Sequence, residues 1–334
     1  MPSFRPIFST ASSIALSLAL AFGLSATAAQ AQTAAAAWPA KPIRVINPWG
    51  AGGASDAFVR PIMLKLSENL GQSIVVENQA GASGMIGAAT VAKAAPDGYT
   101  LLVANVGPTV ISPALEPKMA YDSIRDFVAV TQLVSAPQAL VVRADLPIHN
   151  VAELVAYGKA NPGKLSYGSV GAGSATHLGF EILSQMGGGE YLHVPYKGSA
   201  QVMTDLMGGQ VDMAFTNIAG AIPMMKNPKL RVIAVSTLKR SSAIPEVPAV
   251  SETVAGYDLN AWWGLMAPAG TPKPVVDRLQ QEIAKVMRAR DMEQRLREMG
   301  LEVEASTPEQ FAAVVRGDMV KWAAIVKSRN IKLN

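Results

Sequence analysis

The sequence predicts an α/β protein of two lobes, each built on a mostly parallel sheet flanked by helices. Three observations lead there. From Trp38 onward, short apolar runs of strand length alternate with segments of helical apolar spacing, the pattern of a parallel sheet covered on both faces. One unit, strand then small-residue loop then helix, occurs at 43–71 and again at 164–187. About 300 residues remain after an N-terminal leader, more than one small core usually organises.

Taken in order, "IRVIN" (43–47) reads as a strand and "SDAFVRPIMLKLSENLG" (55–71) as a helix. Ser55 or Asp56 is placed to cap its start and Gly71 to end it. "SIVVEN" (73–78) is a second strand, followed by the glycine-rich "QAGASGMIG" and a helix to about Ala95. "DGYTLLVAN" (97–105) supplies a turn and a buried strand. The pattern restarts after the apolar run 126–143 with a helix, "VAELVAYGKA", and a strand, "KLSYGS" (164–169). Then come the loop "VGAGSATH", the helix "LGFEILSQMG", the strand "YLHVPY" and a helix across "SAQVMTDLMGG". "VDMAFTN" (211–217) and "LRVIAVS" (230–236) read as buried strands, and "LNAWWGLMAPAG" (259–270) as an extended, aromatic-rich segment. "PKPVVDRLQQEIAKVMRAR" and "TPEQFAAVVRGDMVKWAAIVKS" close the chain as helices.

The N-terminus carries an address. Arg5 is the only charge before Lys41, an apolar core runs from Ile14 to Leu24, and Ala29-Gln30-Ala31 fits a small-x-small cleavage site. This is the pattern of a secretory signal peptide, residues 1–31, cut after Ala31. Its apolar core of about 11 residues falls short of the roughly 20 that cross a bilayer. No other segment is long and apolar enough to span. The chain has no cysteine, which removes disulfides, thiolate catalysis and the attachment point of a lipoprotein anchor. The mature product is therefore expected to be soluble and exported, most simply into a bacterial periplasm. A formal charge of +4 from scattered lysines and arginines calls for no nucleic-acid partner.

The loop in "NPWGAGGASDAFVR" (47–60) sits where nucleotide-binding proteins hold phosphate, but its spacing argues otherwise. In Gly50-Ala51-Gly52-Gly53-Ala54-Ser55 the third glycine of a dinucleotide fingerprint is a serine, and Asp56 would crowd a pyrophosphate. Neither loop has the Lys-Ser/Thr pair of a P-loop. A helix start still suits an anion, because its first N–H groups lack internal partners and its dipole is positive there. The glycines alone would serve equally well for a tight turn. The second loop, in "YGSVGAGSATHLGFEILSQMG", shares the glycine pair and a serine at the helix entrance (Ser55, Ser174), and two matching loops favour one shared anion site.

Catalytic constellations are missing. His177 and Glu181 share a helix face, but two ligands do not make a metal site. His149 falls in a loop before a helix, and His193 reads as structural. Ser169 in "YGSVG" lacks the first glycine of a nucleophile elbow, since Tyr167 stands there. No enzyme, metal or cofactor is expected. Trp262 and Trp263 could stack on a ligand or fill the core, with one facing inward and one outward. Met224 and Met225 read as apolar packing.

From Trp38 to the end, the chain resembles the exported substrate-binding proteins of tripartite tricarboxylate transporters, the group first described as Bordetella uptake proteins. The resemblance rests on "WPAKPIRVINPWGAGGASDAFVR", "VENQAGASGMIGAATVAKAAPDGYTLL", "YGSVGAGSATHLGFEIL", "HVPYKGSAQVMTDLMGGQVDMAF", "VPAVSET" and "GLMAPAGTPKPVVDRL", all in order. It implies a two-lobed periplasmic binding fold of type II-like form, with the ligand in the interlobe cleft. Lobe 1 would be 38–134 plus 262–334, and lobe 2 would be 135–261. It also implies a small organic carboxylate as ligand, transient contact with membrane transport subunits and a monomeric receptor.

The family pincer maps onto Gly52, Gly53, Ala54, Ser55 and Asp56 on one side and Gly173, Ser174, Ala175, Thr176 and His177 on the other. Asn105 is expected to face the cleft. Relatives often carry an acidic residue after the "MAF"-like strand; here Thr216 and Asn217 follow, which fits a plain mono- or dicarboxylate better than an amino acid. Trp49 replaces a residue of the usual Pro-Phe-Pro run and could alter the pocket wall. Two other readings stay open at the level of sequence: a ligand sensor signalling to a membrane kinase, and an exported enzyme acting on a carboxylate.

Overall fold

The computed structural model describes residues 38–116 and 118–328. The expected leader, residues 1–31, lies outside the described residues, as does its cleavage point. From Lys41 onward the chain forms one unit, whose described strands join into a ten-stranded sheet.

The first part of the sheet is a parallel triplet. β1 (Ile43–Asn47) leads through α1 (Ala54–Leu70) to β2 (Ile74–Asn78), then through α2 (Met85–Ala92) to β3 (Thr100–Asn105). β1 lies between the other two and pairs in parallel with both. Gly71 ends α1 in the left-handed conformation, as its sequence position predicts, but the N-cap is Gly53, not Ser55 or Asp56.

β4 (Phe127–Arg143) is a single strand of 17 residues that serves both parts of the sheet. After it, α3 (Val151–Ala160) precedes a second parallel triplet. This is β5 (Ser166–Ser169), α4 (Ala175–Gly187), β6 (Leu192–Pro195), α5 (Ser199–Met207) and β7 (Met213–Asn217), with β5 in the middle. β8 (Leu230–Val235) pairs antiparallel with β4. β9 (Asn260–Pro268) returns to the first triplet and runs antiparallel to both β3 and β4. α6 (Lys273–Arg288), α7 (Arg290–Glu298), the short β10 (Glu302–Val303) and α8 (Pro308–Ser328) complete the order.

The sheet is thus more mixed than expected, with two parallel triplets joined by antiparallel strands. Alternating hydrophobicity identifies a strand but not its direction, which the connections decide. The handover lies within β4. Phe127 to Pro137 pair with β9, while Gln138 onward pairs with β7, and Ala139 onward also with β8. Proline, which has no N–H to donate, is tolerated where one ladder ends and the next begins. Two register shifts against β9 and one against β8 bend the strand across its length.

The apolar faces are closed by helices. Val202, Met203 and Leu206 of α5 pack on Val141 and Ala214, and Met224 joins this cluster as expected. α8 lies over β4 and β9. Its Phe311 meets the Trp262 ring edge-on at 5.2 Å, and Asp318 accepts a 2.7 Å bond from Trp262 Nε1. Trp262 and Trp263 are both buried, contrary to the inward–outward expectation, because both faces of β9 are covered. Trp263 packs edge-on to Phe58 of α1 at 5.5 Å.

Gly264 lies under Phe311, where an added Cβ would sit inside the ring's van der Waals envelope and 2.9 Å from the Thr131 carbonyl oxygen. Gly264→Ala should therefore cost about 2–3 kcal/mol of overpacking. The urea midpoint reads this out, and an unchanged midpoint would show that α8 does not seat on β9 as described.

Candidate functional site

The two loops expected to match do match, but with a shifted alignment. In the first, Gly52 precedes the N-cap Gly53, Ala54 and Ser55 begin α1, and Asp56 is its third residue. In the second, Gly173 precedes the N-cap Ser174, Ala175 and Thr176 begin α4, and His177 is its third residue. Ser55 therefore corresponds to Thr176, not to Ser174. The helix also starts three residues earlier than "LGFEILSQMG" suggests. Glycine is needed at both leading positions, where φ is +73° at Gly52 and +78° at Gly173.

Each loop is held by its third helical side chain reaching back. Asp56 Oδ2 accepts the Gly52 N–H at 2.8 Å, and His177 Nδ1 accepts the Gly173 N–H at 3.1 Å. Asp56 Oδ1 also accepts from Asn47 at 2.8 Å and Asn78 at 3.1 Å, with Arg60 Nε 3.6 Å away. Its carboxylate is thus held by the loop and by the ends of β1 and β2. Ser174 Oγ accepts the His177 N–H at 3.2 Å, so the amides of Ala175 and Thr176 are left at the helix end without helical acceptors.

Behind the second loop lies an aromatic stack. The His177 and His193 rings are 4.2 Å apart, and Tyr167 stacks on His193 at 5.0 Å. Burial, helped by the neighbouring imidazole, holds the pKa of His177 down at about 3, and burial lowers His193 to about 4. Both are neutral near pH 7, as His177 must be for Nδ1 to accept a hydrogen bond. Its Nε2 is 3.8 Å from Glu181, which accepts the Tyr167 hydroxyl at 2.8 Å. Ser169 and His193 share a 2.6 Å hydrogen bond that sequence reading missed. Ser169 is fully buried and also accepts the Gly171 N–H, so the pair braces the loop. No group of three metal-ligating side chains occurs among the described residues.

Both helix starts open on one cavity of about 60 Å³, lined by the first two residues of each, Ala54 and Ser55, Ala175 and Thr176. Thr216, Asn217 and Asn105 also line it, as do Trp49 and Trp263. Asn105 is engaged within the fold: its Nδ2 donates to the Trp262 carbonyl and its Oδ1 accepts the Gly107 N–H. Gly52, Gly53, Asp56, Gly173, Ser174 and His177 do not line the cavity; they frame the two loops. Gln138, Val170, Ser199 and Ala261 line it without having been singled out in the sequence. Gln138 left one signal, a polar residue beside Pro137 within an apolar run. No Lys, Arg, His, Asp or Glu is among the lining residues. Positive potential there comes from two helix ends, each worth about half an elementary charge.

A family model described as the tripartite tricarboxylate transporter family receptor matches residues 58–331. This chain belongs to that family. A relative from Pseudomonas sp. strain P51, a UPF0065 protein in the tcbD–tcbE intergenic region, is 36% identical over 300 residues, 89% of each chain. The periplasmic binding protein BugD superimposes with a TM-score of 0.84 at 34% identity, covering 88% of this chain and 99% of BugD. Rpa4515 of R. palustris, solved with adipate, gives 0.85 at 33% identity, covering 88% and 99%. The family and fold make this receptor a solute-binding protein and set the enzyme reading aside.

The neutral histidines couple the loop to pH. An unfolded histidine takes up its proton near pH 6.5, whereas folded His177 does so near 3. Its contribution to stability is full above pH 6.5 and is lost as pH falls towards 3. Between pH 7 and pH 5 the loss from His177 should be about 2 kcal/mol. His177→Asn keeps an acceptor for Gly173 and should lose that much less on acidification. Equal losses in urea melts of the two proteins would contradict the assignment.

Proposed function

We propose that this receptor is an exported periplasmic protein that captures a small carboxylate-bearing ligand and passes it to tripartite membrane transport subunits. The observation that carries the proposal is the convergence of two helix N-termini on one cavity free of ionisable side chains. The amides at 55, 175 and 176 lie where a single carboxylate could meet donors from both sides. Two half-charges sum to about one positive charge, the complement of one carboxylate. The adipate complex of a relative with a TM-score of 0.85 supports the ligand class.

The same reading divides the chain into lobes at 38–134 plus 262–334 and at 135–261, joined through β4 and the start of β9. Contacts between these lobes support a closed arrangement. The Ala54 N–H donates to Ser199 Oγ at 3.1 Å, Ser83 Oγ donates to the Ala172 carbonyl, and Gly50 lies against Gly198. Ligand that draws the lobes together would create the surface a membrane partner recognises. A monomer suffices for this role, and residues 1–31 would serve as the export signal.

Ala175→Asp tests the pincer. An acidic residue in the first turn is compatible with α4 and its dipole, so the variant should melt no lower than the parent. Its carboxylate would occupy the anion site, and carboxylate affinity measured by calorimetry should fall about 100-fold or more. Undiminished affinity would remove the helix ends from the binding site.

A further inference from the structure

The chain between β2 and α2 makes a left-handed turn against the loop before α4. Four successive residues have positive φ: +136° at Gly81, +44° at Ala82, +54° at Ser83 and +91° at Gly84. The two outer glycines adopt such angles freely, but Ala82 and Ser83 carry a Cβ that a left-handed turn crowds against the following carbonyl oxygen. The Gly84 N–H closes the turn on the Gly81 carbonyl at 3.0 Å. Ala82 is exposed, so packing of its side chain does not impose this shape.

The contacts at the tip of the turn come from the other proposed lobe. Ser83 is only 7% exposed, and its Oγ donates to the Ala172 carbonyl. Gly171, itself at φ +118°, lies so close that an added Cβ would be 3.4 Å from Ser83 Cα and 3.5 Å from Ser83 Cβ. Beside this contact the seam opens into a groove of about 640 Å³, lined by Met85 on one side and by Val170, Tyr196 and Lys197 on the other. The turn also grips a functional element. Ala172 directly precedes Gly173 and the N-cap Ser174, so Ser83 holds the loop that carries one of the two helix starts.

Strained backbone persists only where its surroundings over-determine it, and such residues gather at clamps and switches. Parting the lobes would break the Ser83 bond and leave Ala82 and Ser83 free to return to the φ values that L-residues prefer.

We propose that Gly81–Gly84 is a sprung clasp: the bond from Ser83 to Ala172 favours the closed arrangement, and the left-handed backbone of Ala82 and Ser83, relaxed on opening, favours the open one. This rests on the two-lobe reading and adds to it the element that balances the two states. Ser83 is a positioning residue, since it acts on closure and not on the ligand. The clasp therefore works whether or not the cavity is filled, and it favours every ligand alike.

The test is single-molecule FRET on the mature chain without ligand. The protein has no cysteine, so Lys93→Cys, just past α2, and Thr204→Cys on α5 provide two exposed labelling sites, one in each lobe. In this background Ser83→Ala should shift the open-to-closed ratio about fivefold towards open. Ala82→Gly removes the strain and no contact, and should shift the ratio about fivefold towards closed. Calorimetry with adipate, glutarate and hexanoate should then show each variant's affinities changed by the factor by which its closed fraction changes, the same for every compound that binds. Opposite shifts of the two variants support the clasp. A distribution that either variant leaves unmoved, shifts of both in one direction, or affinity changes that differ between compounds overturn it. The FRET distribution requires no ligand, so failure of all three compounds to bind the parent would fall on the carboxylate reading alone.

Discussion

Two helix N-termini aimed into one cavity without an ionisable side chain are the constraint on which the rest of this receptor depends. Backbone amides can present a positive end to a ligand only if the loops before them turn tightly and stay in place. Gly52 and Gly173 supply the turn through left-handed φ angles. Asp56 and His177, the third residues of α1 and α4, tie down those same glycine amides. An acid and a neutral imidazole do one job at equivalent positions because that job requires only an acceptor.

In the proposed role, the use of backbone amides in place of lysine or arginine bears on how a ligand arrives and leaves. Helix dipoles are fixed in place and cost little reorganisation when ligand arrives or leaves. Near pH 7 the histidines behind α4 are neutral and add no charge beside the cavity. The price is stability under acid, where those buried imidazoles must be charged on unfolding. The sheet completes the arrangement. β4 runs through both of its parts, so the proposed lobes share a strand at the floor of the cavity while their loops face one another across its mouth.

Much of this was legible in the sequence, and the parts that were not share a physical cause. The strands of both parallel triplets and the long helices follow from periodicity, and the twin glycine loops follow from local composition. The cavity positions at 54, 55, 175 and 176 could be named because they sit at fixed offsets from those glycines. The family resemblance places Asp56 and His177 in the pincer, but the direction of these side chains depends on neighbours further along the chain, Asn78 for Asp56 and His193 for His177. The same holds for Gln138 and Trp263. Gln138 reaches the cavity through antiparallel pairing of β4 with β7, and Trp263 through that of β9 with β4, and an apolar run does not encode strand direction. Ser169 and His193 illustrate the point in reverse, since their contact depends on parallel pairing of β5 with β6.

The most direct measurement of the central claim is a crystal structure of the protein with its carboxylate ligand bound. The account predicts one ligand carboxylate within about 2.7–3.2 Å of backbone amides at the start of both α1 and α4, directly or through a single bridging water. A carboxylate held by lysine or arginine side chains away from this cavity, or by one helix end alone, would contradict it.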